Sequence, residues 1–114
     1  MAERIECGKT MSRAVIKNGV IHFSGHVAAG KQPTMREQAA ALFARYDELL
    51  KLCGSNKEHI IFANIYVTDM KLKPEFNEVW NSWIPENCAP ARVCVECGLE
   101  QGYLVEMALI AEVI

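Results

Sequence analysis

Two charged residues stand inside apolar segments in the last quarter of the chain. Arg92 opens the run 92–95, and Glu106 lies in the middle of the run 103–109. A guanidinium keeps its charge at any physiological pH, so it needs an anionic partner when it is withdrawn from water. A carboxylate in such surroundings is suited to passing protons to and from water. The two residues therefore indicate anion recognition and acid–base chemistry.

The partner of Arg92 is open on the sequence alone. One candidate is a salt bridge to Glu96 or Glu106, which the spacing favours. The other is the carboxylate of a small ligand, which a guanidinium binds through two parallel hydrogen bonds.

A second group of polar residues surrounds Gly25. Ser24 stands beside His26, but strand neighbours point to alternate faces, so nucleophilic catalysis by Ser24 is not expected. His22 and His26 are separated by an even number of residues. We expect them to share one face of a strand, half-buried and hydrogen-bonded. Phosphate-binding glycine loops and metalloprotease motifs are absent.

The five cysteines are odd in number and irregularly spaced, at positions 7, 53, 88, 94 and 97. This pattern favours reduced thiols over a disulfide framework. Cys94 and Cys97 form a CxxC, but a strand would direct them to opposite faces and no second ligand pair follows. Neither a metal nor another cofactor is expected.

Length and charge limit the classes of protein that fit. The 114 residues, 51% apolar, predict one folded domain over residues 1–114. The 12 Lys+Arg against 14 Asp+Glu give a net charge of -2, without the basic cluster that nucleic-acid binding requires. No apolar run is long enough to span a membrane, and residues 1–6 carry charges where a signal peptide is apolar. We expect a cytoplasmic protein.

The first half of the chain predicts a hairpin and a helix. Residues 14–23 are two apolar runs around Asn18-Gly19, a dipeptide typical of tight hairpin turns, and residues 4–8 predict a short edge strand. Thr34 and Glu37 form a capping box that starts a helix over 35–53. Its apolar face has steps of three and four: Met35, Ala39, Leu42, Tyr46, Leu49 and Cys53.

The second half predicts a strand over 59–70 and a helix that Pro74 opens and Pro85 ends. The inward face of this helix carries Phe76, Val79, Trp80 and Trp83. Two further strands, 91–99 and 103–113, flank a turn at 100–102, as in a hairpin. The result is an α+β fold with two helices on one face of a mixed sheet. The other face is apolar enough that we expect self-association to bury it.

Three segments together resemble the reactive intermediate deaminase family (RidA/YjgF, also called endoribonuclease L-PSP). They are residues 11–15 with 19–27, the strand end 66–69, and 89–96 running on to 104–106. The stretch Pro-Ala-Arg-x-x-Val-Glu at 90–96 is the most specific part. The resemblance extends over nearly the whole chain.

The resemblance implies a fold and an assembly. The fold is chorismate-mutase-like, a ferredoxin-like ββαβαββ arrangement, in which the last two strands need not pair with each other. The assembly is a homotrimer whose sheets line an inner barrel, with ligand clefts between subunits.

The resemblance also implies a reaction without a cofactor. Enamine and imine intermediates of the 2-aminoacrylate type are hydrolysed to 2-keto acids and ammonia. By motif position, Arg92 would bind the substrate carboxylate and Glu106 would orient the attacking water. The backbone N–H groups of Gly25 and Cys94 would hold the ligand.

Three residues depart from the family pattern. Met11 stands where many members carry Tyr, His26 where Gln is usual, and Trp80 near a position that is often Asn. We interpret the chain as part of a divergent subgroup. Two alternatives stay open: an endoribonuclease that acts on single-stranded RNA, and a non-catalytic trimeric binder of small carboxylates.

Overall fold

The computed structural model describes residues 1–114 as a six-stranded mixed sheet with two helices, so the α+β prediction is confirmed. The strands are β1 (Glu3–Ile5), β2 (Ala14–Lys17), β3 (Val20–Phe23), β4 (Ile60–Val67), β5 (Ala91–Glu96) and β6 (Val105–Glu112). The helices are α1 (Met35–Leu52) and α2 (Lys73–Trp83), with short 3-10 turns at Lys57–His59 and Met70–Leu72. The strand order is β1-β2-β3-β6-β4-β5. Neither helix has the length and apolar content to cross a bilayer.

The predicted hairpin is confirmed. β2 and β3 pair antiparallel, and the turn places Asn18 at φ 52° and Gly19 at φ 78°. Both values lie in the left-handed region, which asparagine and glycine tolerate best. The edge strand expected over 4–8 is shorter: β1 begins one residue earlier, ends three residues earlier, and pairs with β2.

Helix α1 begins and ends where its sequence indicates. The Thr34 hydroxyl accepts a hydrogen bond from the Glu37 N–H, and Cys53 caps the last turn. All six residues of the predicted apolar face are buried. Helix α2 starts with Pro74 in its first turn and buries Phe76, Trp80 and Trp83.

The two last strands do not form the hairpin that their local sequence favours. β5 pairs parallel with β4, and β6 is inserted between β3 and β4. The parallel pair requires a crossover connection, which α2 supplies between β4 and β5. β6 thereby gains two neighbouring strands and buries one whole side. The arrangement that the family resemblance implies is the one observed.

The two faces of the sheet differ. The helices cover what we call the helix face, which supplies buried residues such as Ile65, Val67 and Met107 to the core. The opposite side, the open face, is only partly buried and largely apolar. Register places these residues on it: His22, Phe62, Asn64, Tyr66, Val93, Val95, Glu106, Ala108 and Ile110. Val93 and Val95 are 42% and 39% exposed.

Gln38 of α1 ties two loops together. Its amide nitrogen donates to the carbonyls of Gln32 at 2.7 Å and Gly102 at 2.9 Å. Its amide oxygen accepts from the Leu104 N–H at 2.8 Å. The side chain is fully buried, so no water replaces these partners. The loop before β6 is therefore fixed to the first turns of α1.

Replacing Gln38 with Ala removes all three contacts, leaves three backbone groups without these partners and opens a cavity at a fully buried position. We expect a loss of about 2–4 kcal/mol in the free energy of unfolding, measured by urea denaturation. Glu48→Ala, an exposed substitution on the same helix, should cost less than about 0.5 kcal/mol. Equal effects of the two substitutions would show that Gln38 has no such structural role.

Candidate functional site

Arg92 lies on the helix face of β5, where it pairs in register with Ala63. One terminal nitrogen, Nη2, donates to Oδ1 of Asn77 at 2.7 Å. The guanidinium carbon lies 5.1 Å from the centre of the Trp80 ring, an attractive cation–π distance. The other terminal nitrogen, Nη1, is buried and has no hydrogen-bond partner. The guanidinium is held in place, and one of its donor groups has no hydrogen-bond partner in the chain.

No carboxylate neutralises Arg92 within the chain. The two ion pairs of the structure are Arg13 with Glu6 and Arg36 with Glu78. Glu96 instead accepts a hydrogen bond from the Met70 N–H at 2.8 Å. Glu106 projects from the open face, away from Arg92. The salt bridge that spacing favoured is therefore wrong, and the site lacks an anion.

Asn77 is a site residue that the sequence analysis missed. It stands three residues before Trp80 on α2, so both side chains lie on one side of the helix and meet the same guanidinium. The i, i+3 spacing of a polar and an aromatic residue facing an apolar strand was the available signal. The sequence analysis assigns this side of α2 to aromatic packing alone.

Glu106 borders a cleft of about 470 Å³ at the end of the open face. Tyr66, its partner in register on β4, and Gly25 line the same cleft, together with residues 97–100. The Glu106 carboxylate is half-buried and forms no hydrogen bond within the chain. It is therefore free to accept from a ligand or a water molecule.

Gly25 leaves room for the side chain of Glu106. A Cβ atom built on Gly25 would overlap the Oε2 atom of Glu106. Without a side chain, the backbone approaches the carboxylate closely and narrows the cleft. The N–H of Gly25 also has no backbone partner, although those of Ser24 and His26 on either side do. Gly25 therefore offers a donor next to the Glu106 carboxylate.

Cys94 offers a donor of the same kind at the sheet edge. β5 is an edge strand of the sheet, so every second N–H group on it points away from the sheet. The Cys97 N–H bonds to Val67 on β4, and alternation places the Cys94 N–H in the outward row. Burial raises the pKa of the Cys94 thiol, which stays protonated at neutral pH. Its backbone, rather than its sulfur, is the available ligand group.

The four predicted site residues fall into two groups in one chain. Arg92 and Cys94 lie on the edge strand β5, whereas Glu106 and Gly25 border the cleft on the other side of the sheet. One chain therefore does not bring the guanidinium and the carboxylate together.

The prediction for the histidines is wrong in its geometry. His22 is exposed on the open face, while His26 is buried and bridges Met107 on the helix side. The chain leaves β3 at Phe23, so the two-residue alternation is not maintained as far as His26. His26 Nδ1 donates to the Ser24 carbonyl at 2.7 Å, and the His26 ring packs edge-on against Tyr46. The Ser24 hydroxyl donates to the Ser12 carbonyl, away from His26.

Comparison with known proteins gives the family. The model of the family described as Endoribonuclease L-PSP matches residues 1–113. The chain belongs to this family, the RidA/YjgF family. The RutC family protein YoaB of Escherichia coli is 32% identical over 111 residues, covering 96% of each chain. A RutC family protein of Haemophilus influenzae shows the same identity and coverage.

Solved structures agree with this assignment. A member of the YjgF protein family from Neisseria meningitidis superimposes with a TM-score of 0.95 at 36% identity, covering 100% of this chain and 96% of the other. Yeast Mmf1 superimposes with a TM-score of 0.86 at 26% identity, covering 95% and 90%.

His26 predicts a pH dependence of stability. Burial lowers the pKa of His26 below 6.5, so the unfolded chain binds a proton that the folded protein excludes. The resulting stability is complete above pH 6.5 and is lost as the pH falls below it. Urea midpoints measured between pH 8 and 5 should fall less in His26→Gln than in the parent. His22→Gln should follow the parent; a parallel fall in all three proteins would contradict the assignment.

Gly25→Ala should displace the Glu106 side chain. The new methyl group meets the flexible end of Glu106, so we expect the carboxylate to rotate away and the fold to survive. A crystal structure of the variant measures this directly. Gly98→Ala is the matched control, because nothing lies within 4 Å of a Cβ at Gly98. An unmoved Glu106 in Gly25→Ala would show that the close contact has no such effect.

Proposed function

We propose that the protein hydrolyses 2-imino acids to 2-keto acids and ammonia, with 2-aminoacrylate and its imine tautomer as the substrate type. The observation that carries the proposal is Arg92, whose Nη1 is buried without a partner and whose charge has no acidic neighbour. A guanidinium without an acidic neighbour is stabilised when an anion binds it. The carboxylate of a small imino acid can supply that charge through a charge-assisted hydrogen bond from Nη1.

The reaction requires little beyond positioning. An imine carbon is already electrophilic, so a water molecule adds to it and forms a carbinolamine. The C–N bond then breaks, a C=O bond forms, and nitrogen leaves as ammonia after taking up a proton. Glu106 accepts a proton from the water and returns one to the leaving nitrogen. Fixing the carboxylate and the water removes much of the entropic barrier.

The assembly in this proposal is a homotrimer with sites between subunits. Two observations support it. Arg92 and Glu106 are separated within one chain, so a site containing both needs a second copy. The apolar open face, with Val93 and Val95 exposed, is a surface that self-association would bury. In the trimer, Arg92 and Cys94 of one subunit would face Gly25 and Glu106 of the next.

Asn77 and Trp80 act on the substrate through Arg92. Asn77 accepts from Nη2 and Trp80 lies against the guanidinium, which leaves Nη1 without a partner in the chain. Both contacts preserve the positive charge, because neither partner is an acid. In this arrangement they are positioning residues for the guanidinium.

The test measures how much imine the protein hydrolyses in competition with a chemical trap. An amino-acid oxidase generates 2-iminopropanoate from alanine, and semicarbazide captures the imine that remains. An active protein lowers the amount of semicarbazone formed. Because a charge-assisted hydrogen bond contributes about 1.5–3 kcal/mol, Arg92→Ala should lower kcat/KM by about 10–150-fold, chiefly through KM.

Two further variants separate the roles. Glu106→Gln should lower kcat by about 100-fold with little change in KM, as expected for loss of an acid–base group. Arg36→Gln, which changes an exposed arginine paired with Glu78, should match the parent. Equal rates for the parent and Arg92→Ala would reject the deaminase assignment.

The same preparations distinguish the two alternatives. Binding of a 2-keto acid that Arg92→Ala abolishes, without turnover of any imine, would identify a non-catalytic carboxylate binder. Cleavage of single-stranded RNA that a point substitution at Arg92 or Glu106 abolishes would identify the activity that the family description names. Either result would replace the proposed function.

A further inference from the structure

A second cavity borders Gly25. It has a volume of about 390 Å³, and Gly25 lines both it and the Glu106 cleft. Its charged lining residues are Arg13, Arg45 and Glu6. Gly25 is the one residue that the linings of the two spaces share, so the second cavity adjoins the Glu106 cleft.

The lining carries more positive than negative charge. Arg45 of α1 donates through Nη1 to the Val27 carbonyl at 2.8 Å, an uncharged partner. Arg13 lies just before β2, and its Nη1 contacts Glu6 at 3.3 Å. Glu6 is the only carboxylate in the lining, so two guanidinium groups face one acid. This excess of positive charge stands in a chain whose net charge is -2.

His26 contributes a polar atom to the same wall. The Ser24 carbonyl can only accept, so the proton of a neutral His26 ring resides on Nδ1. Nε2 is then an acceptor, and no side chain or backbone group of the chain bonds to it. The groups that face His26 are Glu6, Arg13, and Arg45 with Tyr46 from α1. Burial raises the pKa of Tyr46, so its hydroxyl stays neutral.

We propose that this cavity binds the side-chain carboxylate of the substrate, so that the preferred substrates are 2-imino acids with an acidic side chain. The proposal rests on the deaminase function and specifies its substrate class. Arg13 and Arg45 supply the charge, and Gly25 lies at the boundary between this cavity and the Glu106 cleft. A bound carboxylate also attracts a proton to Nε2 of His26, which then becomes a third donor.

The test compares two imines of equal chain length. Amino-acid oxidases generate 2-iminoglutarate from glutamate and 2-iminopentanoate from norvaline, which lacks the side-chain carboxylate. The measured quantity is the ratio of their kcat/KM values. We expect a ratio above 10 in the parent, and an approximately tenfold lower ratio in Arg13→Gln and Arg45→Gln. Arg36→Gln, whose charge lies at the start of α1, should keep the parent ratio.

A parent ratio near one, or a ratio that Arg13→Gln and Arg45→Gln leave unchanged, would overturn the proposal. If the parent hydrolyses neither imine, the deaminase function fails and calorimetry decides the cavity separately. Tighter binding of 2-oxoglutarate than of 2-oxopentanoate, lost in Arg13→Gln, would support an acidic-group site. Equal binding of the two keto acids would reject it.

Proton uptake gives an independent readout of His26. Calorimetry of 2-oxoglutarate binding at pH 7.5, in buffers with different heats of ionisation, counts the protons taken up. We expect uptake in the parent and its loss in His26→Gln, with tighter binding at lower pH. Absence of uptake in the parent, or its persistence in His26→Gln, would contradict this role of His26.

Discussion

The site depends on a positive charge that the chain does not neutralise. Removing an ion from water costs about several kcal/mol even after the protein relaxes. The cation–π contact of Arg92 with Trp80 returns about 0.5–2 kcal/mol, and the neutral oxygen of Asn77 contributes a hydrogen bond without opposing the charge. The balance favours an anion as the missing partner. The unpaired Nη1 of Arg92 is therefore the feature of β5 that most clearly indicates ligand binding.

The topology explains how the chain keeps that charge unpaired. The crossover through α2 places β5 at the edge of the sheet, beside the helix that supplies Asn77 and Trp80. The insertion of β6 between β3 and β4 turns Glu106 toward the opposite side, next to Gly25. Arg92 and Glu106 therefore do not form an ion pair within one subunit.

Sequence periodicity predicted the elements well and the pairing of the last strands poorly. The face of α1 from Met35 to Cys53 and the Asn18-Gly19 turn are local patterns, and local physical chemistry determines both. The partner of β5 depends on a strand about thirty residues earlier, which no local pattern records. The same limit applies to the site. Arg92 was recognisable as a charge in an apolar run, but its contact with Asn77 arises only when α2 packs against β5.

His26 shows a different limit. An even spacing from His22 predicts a common face only while the strand continues, and β3 ends at Phe23. Ser24 then faces the Ser12 carbonyl, and His26 turns inward to Tyr46. Side-chain alternation holds within an element, so a residue just beyond an element boundary needs the three-dimensional path of the chain.

Gly25 is the one residue that lines both the Glu106 cleft and the cavity of Arg13 and Arg45. The cleft contains the carboxylate of the proposed reaction, whereas no step of that reaction uses the two arginines. Under the proposed function, substitutions of these arginines would leave the reacting groups in place while changing which substrates the cavity accepts. Substrate preference would then change in evolution while the groups that carry the reaction stay the same.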